Sequence, residues 1–347
     1  MSDIDIRIVG RAGRITLTRP KALNALTYDM CMAMEVALDA WANDDQVANV
    51  VIDAEGERAF CSGGDIAELY ATGTAGDYAY GRKFWSDEYR LNSKIYNYAK
   101  PIVSFLQGFT MGGGVGVGCH GSHRVVGESS QIAMPEVGIG LVPDVGGTLI
   151  LALAPGRVGE YLGLTASRLN ASDAIYAGFA DHYIPQLMWD KVIQELETTG
   201  DVACLETHAQ AAPDGVLEDQ IEQINDLFAG ETLADIRQAL AADDSAFAAA
   251  ARKMVDRNSP LAMAVTMELI HRLRGTSPSI EAALELEYRY TARSMEHSDF
   301  LEGIRAAIID KDRQPKWRHA QEDVPQEVVA QLLAPLGKDT LNLQTGD

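Results

Sequence analysis

Two glycine-rich segments constrain the fold of this chain more than any other feature. They are CSGGD at residues 61–65 and MGGGVG at residues 111–116, and each follows a short apolar segment and precedes a helical pattern. This order predicts a unit of strand, glycine-rich turn and helix that occurs at least twice. At such a junction the N–H groups of the first helical turn have no partner inside the helix, so each unit presents free main-chain donors.

These glycine turns have more than one interpretation. Gly64 and Gly113 either serve tight turns and close helix packing alone, or their N–H groups converge on one carbonyl oxygen and form an oxyanion hole. Residues 116–121, GVGCHG, also match the GxGxxG pattern of dinucleotide-binding proteins. Because that match falls inside the predicted helix and not at its start, we expect no dinucleotide site there.

The first part of the chain predicts strands around one amphipathic helix. Residues 4–19 alternate apolar and polar positions and predict an antiparallel hairpin that ends at Pro20. Thr27 is the expected N-cap of the helix that follows. Residues 47–56 and 100–111 each predict one strand. Two more short strands are expected between the second glycine turn and residue 137.

Helical patterns dominate from about residue 156 onward. One predicted helix covers residues 171–179 and is expected to be capped by Ser172, and a long one is expected to be capped by Ser279. A chain of 347 residues is long for one small domain. We therefore predict three parts, which are a catalytic core at 1–190, a helical C-terminal region at 191–335 and a disordered tail at 336–347.

The strongly negative charge limits the partners of this chain. The formal net charge is −21, which disfavours binding to nucleic acid and to membrane surfaces. An anionic ligand would need locally placed Lys or Arg side chains and main-chain N–H groups, because the overall field opposes it. No apolar segment approaches the roughly 20 residues that a membrane-spanning helix needs, and the N-terminus does not resemble a signal or transit peptide.

The cysteines favour a reducing compartment. The four of them, at positions 31, 61, 119 and 204, show no CxxC pairing, and a chain of this length does not need disulfide bonds. We expect reduced thiols and a cytoplasmic location. Cys61, beside the first glycine turn, is interpreted as a small packed residue and not as a nucleophile.

Two carboxylates stand out in the segment AMPEVGIGLVPDVGGTL. Glu136 and Asp144 each follow a proline and lie eight residues apart, among few other polar side chains. A Gly-containing loop can fold back so that both line one pocket. The alternative for Asp144 is a role as the N-cap of the helix after it. Glu88 is a third candidate, although a charged residue on an amphipathic helix usually lies on the solvated face.

Other chemistries find little support in the sequence. His120 and His123 form an HxxH pattern, but helical zinc pairs prefer i, i+4 spacing with a third ligand nearby, so we expect no metal. No GxSxG motif is present, and the remaining histidines lie in scattered contexts. A serine-hydrolase mechanism is therefore not expected.

Five motifs together resemble, in order and spacing, the enoyl-CoA hydratase/isomerase (crotonase) superfamily over residues 4–190. They are RPKALNALT, AFCSGGDI, FTMGGGVG, AMPEVGIGLVPDVGG and LTASRLNASDAIYAGFADHYI. The resemblance implies an α/β fold, a crotonase-like spiral of ββα units with a mainly helical C-terminal region. It also implies that the N–H groups of Gly64 and Gly113 form an oxyanion hole for an acyl-CoA thioester.

Other residues look like one branch of that superfamily. The hydratases carry a first glutamate three residues after the oxyanion glycine, where this chain has Gly116, and a second that matches Glu136. Asp144, Glu88 and the segment DFLEGIRAAIIDKDRQPKW resemble the 3-hydroxyisobutyryl-CoA hydrolase branch. The resemblance implies hydrolysis of a short hydroxyacyl-CoA thioester. The alternatives are an enoyl-CoA hydratase or isomerase that acts through Glu136, and a non-catalytic acyl-CoA-binding subunit.

The resemblance also suggests a role for each residue. Glu136 either attacks the thioester or acts as a general base toward water, Asp144 positions water or the substrate hydroxyl, and Glu88 forms a hydrogen bond nearby. Lys21 is a candidate neighbour of the CoA nucleotide, or a solvated charge at the start of a helix. We expect no separate cofactor, because CoA is part of the substrate. A homo-oligomer built through the C-terminal helices is one expectation, and a C-terminal segment folded over its own subunit is the other.

Overall fold

The computed structural model describes residues 3–320 and 324–343. It contains nine strands within those ranges. They are β1 (Ile4–Val9), β2 (Ala12–Leu17), β3 (Asn49–Ala54), β4 (Ala59–Cys61), β5 (Ile102–Phe105), β6 (Phe109–Met111), β7 (His123–Val126), β8 (Gln131–Ala133) and β9 (His182–Tyr183).

Helices occupy most of the remaining described chain. They are α1 (Tyr28–Ala42), α2 (Ala67–Thr74), α3 (Tyr78–Tyr96), α4 (Gly113–Gly118), α5 (Gly147–Leu153), α6 (Val158–Thr165), α7 (Ala171–Tyr176), α8 (Trp189–Thr199), α9 (Cys204–His208), α10 (Ile221–Leu227), α11 (Leu233–Ala242), α12 (Ala246–Val255), α13 (Pro260–Leu273), α14 (Ile280–His297), α15 (Phe300–Ile304) and α16 (Gln326–Leu332). Single helical turns lie at Pro20–Ala22, Glu136–Ile139, Gln186–Met188 and Gly337–Asp339, and a π-helical turn, Arg305–Ile309, follows α15.

The N-terminal hairpin and the first helix confirm their predictions. Strands β1 and β2 pair antiparallel from Ile4 opposite Leu17 to Val9 opposite Ala12. The hydroxyl of Thr27 accepts a hydrogen bond from the N–H of Met30 at 3.2 Å, so it is the N-cap of α1. One face of α1 is buried, as its apolar spacing requires.

The strands form two sheets that are filled alternately along the chain. The six-stranded sheet has the order β1-β2-β3-β5-β7-β9, and the three-stranded sheet has the order β4-β6-β8. Each consecutive pair from β3 to β8 therefore gives its first strand to one sheet and its second strand to the other. Pairing is parallel after the hairpin. The two glycine-rich segments lie between β4 and α2 and between β6 and α4, so the predicted unit of strand, turn and helix occurs twice.

The single strand predicted over residues 100–111 is wrong. The chain forms β5 and β6 there, in different sheets, with a turn that contains Gly108 between them. Gly108 has a φ of 55°, and a Cβ atom added to it would lie 2.2 Å from the carbonyl oxygen of Arg58. The backbone turns sharply at a place where only glycine fits, which a continuous apolar pattern does not reveal.

The helix caps of the second half are partly as predicted. Ser279 caps α14 and accepts a hydrogen bond from the N–H of Ala282 at 3.3 Å. The cap predicted at Ser172 is wrong. Asn170 has the extended conformation at the start of α7, and its side chain accepts from the N–H of Asp173 at 2.9 Å. Both Asn and Ser are good caps, so spacing alone does not decide between neighbours.

The chain divides into two compact units that are discontinuous in sequence. The first contains residues 1–64, 90–133 and 168–218, and the second contains residues 65–89, 134–167 and 219–347. The sequence-based boundaries at 190 and 335 divide the chain into consecutive stretches and not by contacts in space, so they stay a prediction. The predicted tail ends in residues 344–347, which lie outside the described residues.

The first unit has its own hydrophobic core. Val103, Phe105 and Val125 of the six-stranded sheet pack in one buried cluster with Val192 and Leu196 of α8. The helix is amphipathic with this face turned to the sheet, so burial of its apolar side chains stabilises the six-stranded sheet. None of the helices in residues 3–320 and 324–343 is long and apolar enough to cross a membrane.

Candidate active site

The two glycine-rich turns leave the same edge of the three-stranded sheet. Strands β4 and β6 pair parallel, with Ala59 opposite Phe109 and Cys61 opposite Thr110. Parallel neighbours end at the same edge, so the turns that follow them are side by side. Each turn includes a glycine with positive φ, which is 114° at Gly63 and 50° in the second turn.

The two turns approach each other too closely for larger residues. A Cβ atom added to Gly63 would lie 3.3 Å from the carbonyl oxygen of Met111 and 3.9 Å from the nitrogen of Gly113. A Cβ atom on Gly114 would lie 2.4 Å from the carbonyl oxygen of Cys61. Glycine is needed here for close backbone approach as well as for conformation. This close approach is what tight turns and close packing require, and the oxyanion hole stays a prediction.

Both predicted donors are available for a ligand. Gly113 is the first residue of α4, where an N–H has no intrahelical acceptor. Gly64 forms a parallel bridge with Leu26, but the bond at that bridge runs from the Leu26 N–H to the Gly63 oxygen at 2.9 Å. Across residues 3–320 and 324–343, no hydrogen bond is donated by the N–H of Gly64 or by that of Gly113.

The predicted carboxylates belong to the second unit and all are buried. Glu136 begins a single helical turn and is 5% exposed, Asp144 is 4% exposed and Glu88 is 4% exposed. The solvated-face interpretation of Glu88 is therefore wrong. The Oε2 atom of Glu136 has no hydrogen-bond partner among the described residues. A buried carboxylate oxygen without a partner is costly, and such groups concentrate at functional sites.

Burial and mutual repulsion keep these carboxyl groups protonated to unusually high pH. Burial raises the pKa of Glu88 to about 8, and the nearby charge of Asp144 adds to the effect. Burial raises the pKa of Asp144 to about 7, although the hydroxyl of Tyr89 opposes the shift. The pKa of Glu136 rises well above its usual range through burial and then through the charge of Asp144. Glu88 and Asp144 therefore titrate near neutral pH, and the charges of the three groups affect one another.

Asp144 is not the helix N-cap that one interpretation of the sequence suggested. Helix α5 begins at Gly147, Gly146 occupies the cap position, and no residue there supplies a side-chain cap. The Asp144 carboxylate instead accepts a hydrogen bond from the Tyr89 hydroxyl at 2.8 Å. The carboxylate that bonds the start of α5 is Glu287, which accepts from the N–H groups of Gly146 and Thr148.

The remaining singled-out residues have ordinary surroundings. Lys21 is exposed in the single turn Pro20–Ala22. His120 is buried with its ring 6.0 Å from that of Tyr96, and His123 stacks on His182 at 6.2 Å. In the part of the chain that the structure describes, no group of three or more His, Cys, Asp or Glu side chains is arranged to hold a metal ion.

Sequence reasoning missed Tyr89 and Glu287, although one signal was present. Leu284, Glu287 and Thr291 recur at the spacing of one helix face in α14, and all three are 0% exposed. A glutamate at a core position of an amphipathic helix predicts a buried charge that needs partners. Tyr89 follows Glu88 directly and gives no comparable signal, because a tyrosine on such a helix is ordinary core.

Comparison with known proteins agrees with the motifs. A family model described as Enoyl-CoA hydratase/isomerase matches residues 12–333. The chain is 36% identical to a mitochondrial 3-hydroxyisobutyryl-CoA hydrolase of Gallus gallus, with 99% of this chain and 91% of that protein covered. It is 40% identical to the protein of the same name from Danio rerio, with 91% and 85% covered.

Solved structures are similar over the whole chain. A structure described as an enoyl-CoA hydratase from Rhodobacter sphaeroides has a TM-score of 0.95 and 57% identity and covers 98% of this chain and 100% of its own. One described as a carnitinyl-CoA dehydratase from Mycobacterium thermoresistibile has a TM-score of 0.94 and 41% identity, with both chains fully covered. These likenesses confirm the fold class that the five motifs imply.

Proposed function

The chain belongs to the enoyl-CoA hydratase/isomerase family, and on that premise we propose that it hydrolyses 3-hydroxyisobutyryl-CoA to 3-hydroxyisobutyrate and CoA. The observation that carries the proposal is the similarity, along nearly the whole chain, to hydrolases named for this substrate. Such a reaction belongs to the degradation of valine. Two carboxylates of the second unit, Glu136 and Asp144, are buried and have raised pKa values, as acid–base catalysts often do.

A hydratase or isomerase is the second candidate. The name of the Rhodobacter sphaeroides structure, at 57% identity, favours it. Against it stands Gly116, which lies on α4 where the resemblance places the first glutamate of the hydratases. With one of two catalytic glutamates missing, addition of water across a double bond lacks half of its acid–base pair. The hydrolase proposal needs only one carboxylate for attack.

The oxyanion is stabilised by main-chain donors in the proposed mechanism. The N–H groups of Gly64 and Gly113 donate to the thioester oxygen, which gains negative charge as the carbonyl carbon becomes tetrahedral. These donors are fixed by the backbone before the substrate arrives, so they need no reorganisation during the reaction. Each such donor contributes on the order of 100- to 1000-fold to the rate.

Glu136 then acts in one of two ways. As a nucleophile, its carboxylate attacks the carbonyl carbon, the C–S bond breaks, CoA leaves as a thiolate, and water hydrolyses the resulting anhydride. As a general base, it takes a proton from water while the water oxygen attacks the same carbon. The thiolate needs little acid assistance in either route, because thiols ionise near pH 8.5. Asp144 positions the water or the substrate hydroxyl, and Glu88 binds nearby.

Isotope labelling distinguishes the two routes of Glu136. A single turnover in oxygen-18 water, followed by proteolysis and mass spectrometry, reports where the label goes. The nucleophilic route predicts label in the carboxylate of Glu136, because water can attack the anhydride on the enzyme side. Label found only in the released acid agrees with a general base or with water attack on the acyl side of the anhydride.

Release of free CoA tests the function itself. We expect the protein to release CoA thiol from 3-hydroxyisobutyryl-CoA, detected with a thiol reagent, and to leave the ultraviolet band of short enoyl-CoA thioesters unchanged. A change in the enoyl band without free thiol would establish the hydratase or isomerase instead. Binding of every thioester without turnover would establish a non-catalytic acyl-CoA-binding subunit. A panel of hydroxyacyl chain lengths then defines the acyl group.

The other proposals concern the surroundings of the reaction. Lys21 is proposed to lie near the CoA nucleotide, which its exposure permits, and no cofactor besides the substrate is proposed. The cysteines at 31, 61, 119 and 204 form no disulfide bonds, which supports a reducing compartment such as the cytoplasm. The animal hydrolases are named as mitochondrial proteins. Cell fractionation therefore tests the proposed cytoplasmic location of this protein. Light scattering tests whether the C-terminal helices build a homo-oligomer.

A further inference from the structure

The turn after Asp144 has an unfavourable backbone conformation. Val145 has a φ of 53° and Gly146 a φ of 81°. A β-branched residue at positive φ is strained and persists only where its surroundings hold it. Within the turn itself, the carbonyl oxygen of Asp144 accepts a hydrogen bond from the N–H of Gly147 at 2.7 Å. Contacts from elsewhere in the second unit also hold this conformation.

Glu287 supplies those contacts from helix α14. Its side chain is fully buried. One carboxylate oxygen accepts from the N–H of Gly146 at 2.8 Å, and the other accepts from the N–H of Thr148 at 3.0 Å and from the Thr148 hydroxyl. All three donors lie directly after Val145, in Gly146 and in Thr148 of the first turn of α5. A single side chain therefore holds the C-terminal end of the strained segment.

A second residue of the same helix face reaches Asp144 by another route. Thr291 lies one turn after Glu287 on α14, so the two side chains share a face. Its hydroxyl oxygen lies 3.3 Å from the hydroxyl oxygen of Tyr89, which donates to the Asp144 carboxylate at 2.8 Å. Tyr89 and Thr291 are both fully buried. One face of α14 thus holds the backbone of Asp144 and also the group that bonds its side chain.

We propose that Glu287 is a positioning residue for the thioester hydrolysis: its carboxylate fixes the turn that places Asp144, while Thr291 steadies the tyrosine bonded to Asp144. This inference rests on the proposed function, because it assigns Asp144 a part in that reaction. It also links the helical C-terminal region to the reaction, since α14 belongs to that region. Glu287 need not touch the substrate.

The charge of Glu287 provides a signature that a purely structural cap would not produce. It contributes to the raised pKa of Glu136, together with burial and the charge of Asp144. Burial also raises the pKa of Glu287 to about 8, so its charge develops mainly above that pH. Replacing Glu287 with a neutral glutamine removes this charge, and the pKa of Glu136 falls where Glu287 would be ionised. The kcat/KM profile of the variant should therefore differ in shape from that of the wild type above pH 8 and agree with it in shape at lower pH.

Glu287→Gln and Glu285→Gln form a matched pair of variants. Glutamine keeps the shape of Glu287, but its NH2 group cannot accept a hydrogen bond from an N–H group. One side-chain hydrogen bond to the turn is therefore lost. We expect kcat to fall about 10- to 100-fold, because a misplacement of about 1 Å has effects of this order, with affinity for CoA unchanged. Glu285 is partly exposed on the same helix and pairs with Arg289 at 2.7 Å. Its replacement should leave kcat, CoA affinity and the pH profile as in the wild type.

Crystal structures of both variants separate this inference from the proposed function. In Glu287→Gln we expect the Asp144 carboxylate to move by about 1 Å, and in Glu285→Gln we expect no movement. An unmoved Asp144, or a loss of kcat that only accompanies lost CoA affinity and a lower melting temperature, would overturn the positioning role. If the wild type releases CoA from no thioester, the proposed function fails, and the position of Asp144 still decides the role of Glu287 in holding the turn.

Discussion

In the proposed mechanism, the glycine turns and the carboxylate segments supply their groups by opposite means. The turns contribute main-chain N–H groups and leave little room for side chains, since a Cβ atom on Gly63 or Gly114 would meet the backbone of the other segment. Glu136 and Asp144 contribute side chains whose pKa values are raised by burial. Local motifs therefore mark the first group, whereas tertiary structure gives the second its properties.

Apart from replacement of Glu136, the largest effect should come from removing a main-chain donor. Gly113→Pro deletes the N–H at the first position of α4, where proline is otherwise well tolerated. We expect kcat to fall on the order of 100- to 1000-fold. Gly113→Ala is the matched control, because it adds a methyl group and keeps the N–H. If both variants lose the same activity, the loss comes from crowding and the oxyanion role of Gly113 is wrong.

A side-chain change should have a somewhat smaller effect. Asp144→Asn keeps the size of the residue and removes its charge and its ability to take a proton. We expect kcat to fall about 100-fold, at the lower end of acid–base contributions, while KM changes little. Steady-state kinetics on 3-hydroxyisobutyryl-CoA measure both parameters. A variant with wild-type kcat would show that the buried charge of Asp144 is not used.

Removing one hydrogen bond to Asp144 should reduce kcat less than replacing Asp144 itself. The wild-type acidic limb of kcat/KM should lie near pH 7, because the pKa of Asp144 is raised to about 7, and activity should rise with pH through that value. The Tyr89 hydroxyl lowers the pKa of Asp144. Tyr89→Phe should therefore shift the limb to higher pH and reduce kcat about 10-fold, which corresponds to a hydrogen bond to a charged group.

Tyr80→Phe is the control for that change. Tyr80 lies on the same helix, and its exposed hydroxyl donates to Glu68 at 2.6 Å. Its replacement should leave the pH profile and kcat unchanged. Equal shifts in both variants would mean that the limb does not report the bond between Tyr89 and Asp144.

The smallest expected effect concerns stability. The pKa of Glu88 is raised by burial to about 8 in the folded protein, above its unfolded value, so the folded state binds the proton more tightly. Its contribution to stability is present below the unfolded pKa and is lost as pH rises toward 8. Glu88→Gln should therefore raise the melting temperature at pH 8 by about 2–5 °C.

The same variant should show no gain at pH 4, where Glu88 is protonated in both states. Calorimetry at the two pH values measures the difference. A gain of equal size at both pH values would indicate improved packing and not relief of a buried charge. A destabilised variant at pH 8 would mean that the ionised form of Glu88 is favoured in the folded protein.

The outcome of the sequence-based predictions follows the same contrast between local and tertiary signals. Caps at Thr27 and Ser279 were predictable because capping depends on a few consecutive residues. The break at Gly108 was missed because its cause is the carbonyl of Arg58 in another segment. The burial of Glu88 was not predicted, because tertiary packing brings together the residues that exclude water from it.

The sequence pattern identified Glu136 and Asp144 as candidates, but it did not identify the residues that hold them in place. Glu136 and Asp144 stand out as polar residues in an apolar segment. The alternative role of Asp144 as a cap was wrong because Glu287, more than 100 residues further along the chain, bonds the start of α5 instead. No local pattern predicts which of two carboxylates reaches a given turn, because the choice depends on how α14 packs.

The most direct test of the account is single-turnover CoA release by the wild type and by Glu136→Gln, with both proteins shown to bind CoA. Glu268→Gln, a replacement of a partly exposed partner of Arg272, serves as the matched control. The account predicts rapid release of one CoA per thioester by the wild type and the control, and release slower by about 1000-fold or more in Glu136→Gln. Release by Glu136→Gln at a rate comparable to that of the wild type would contradict it.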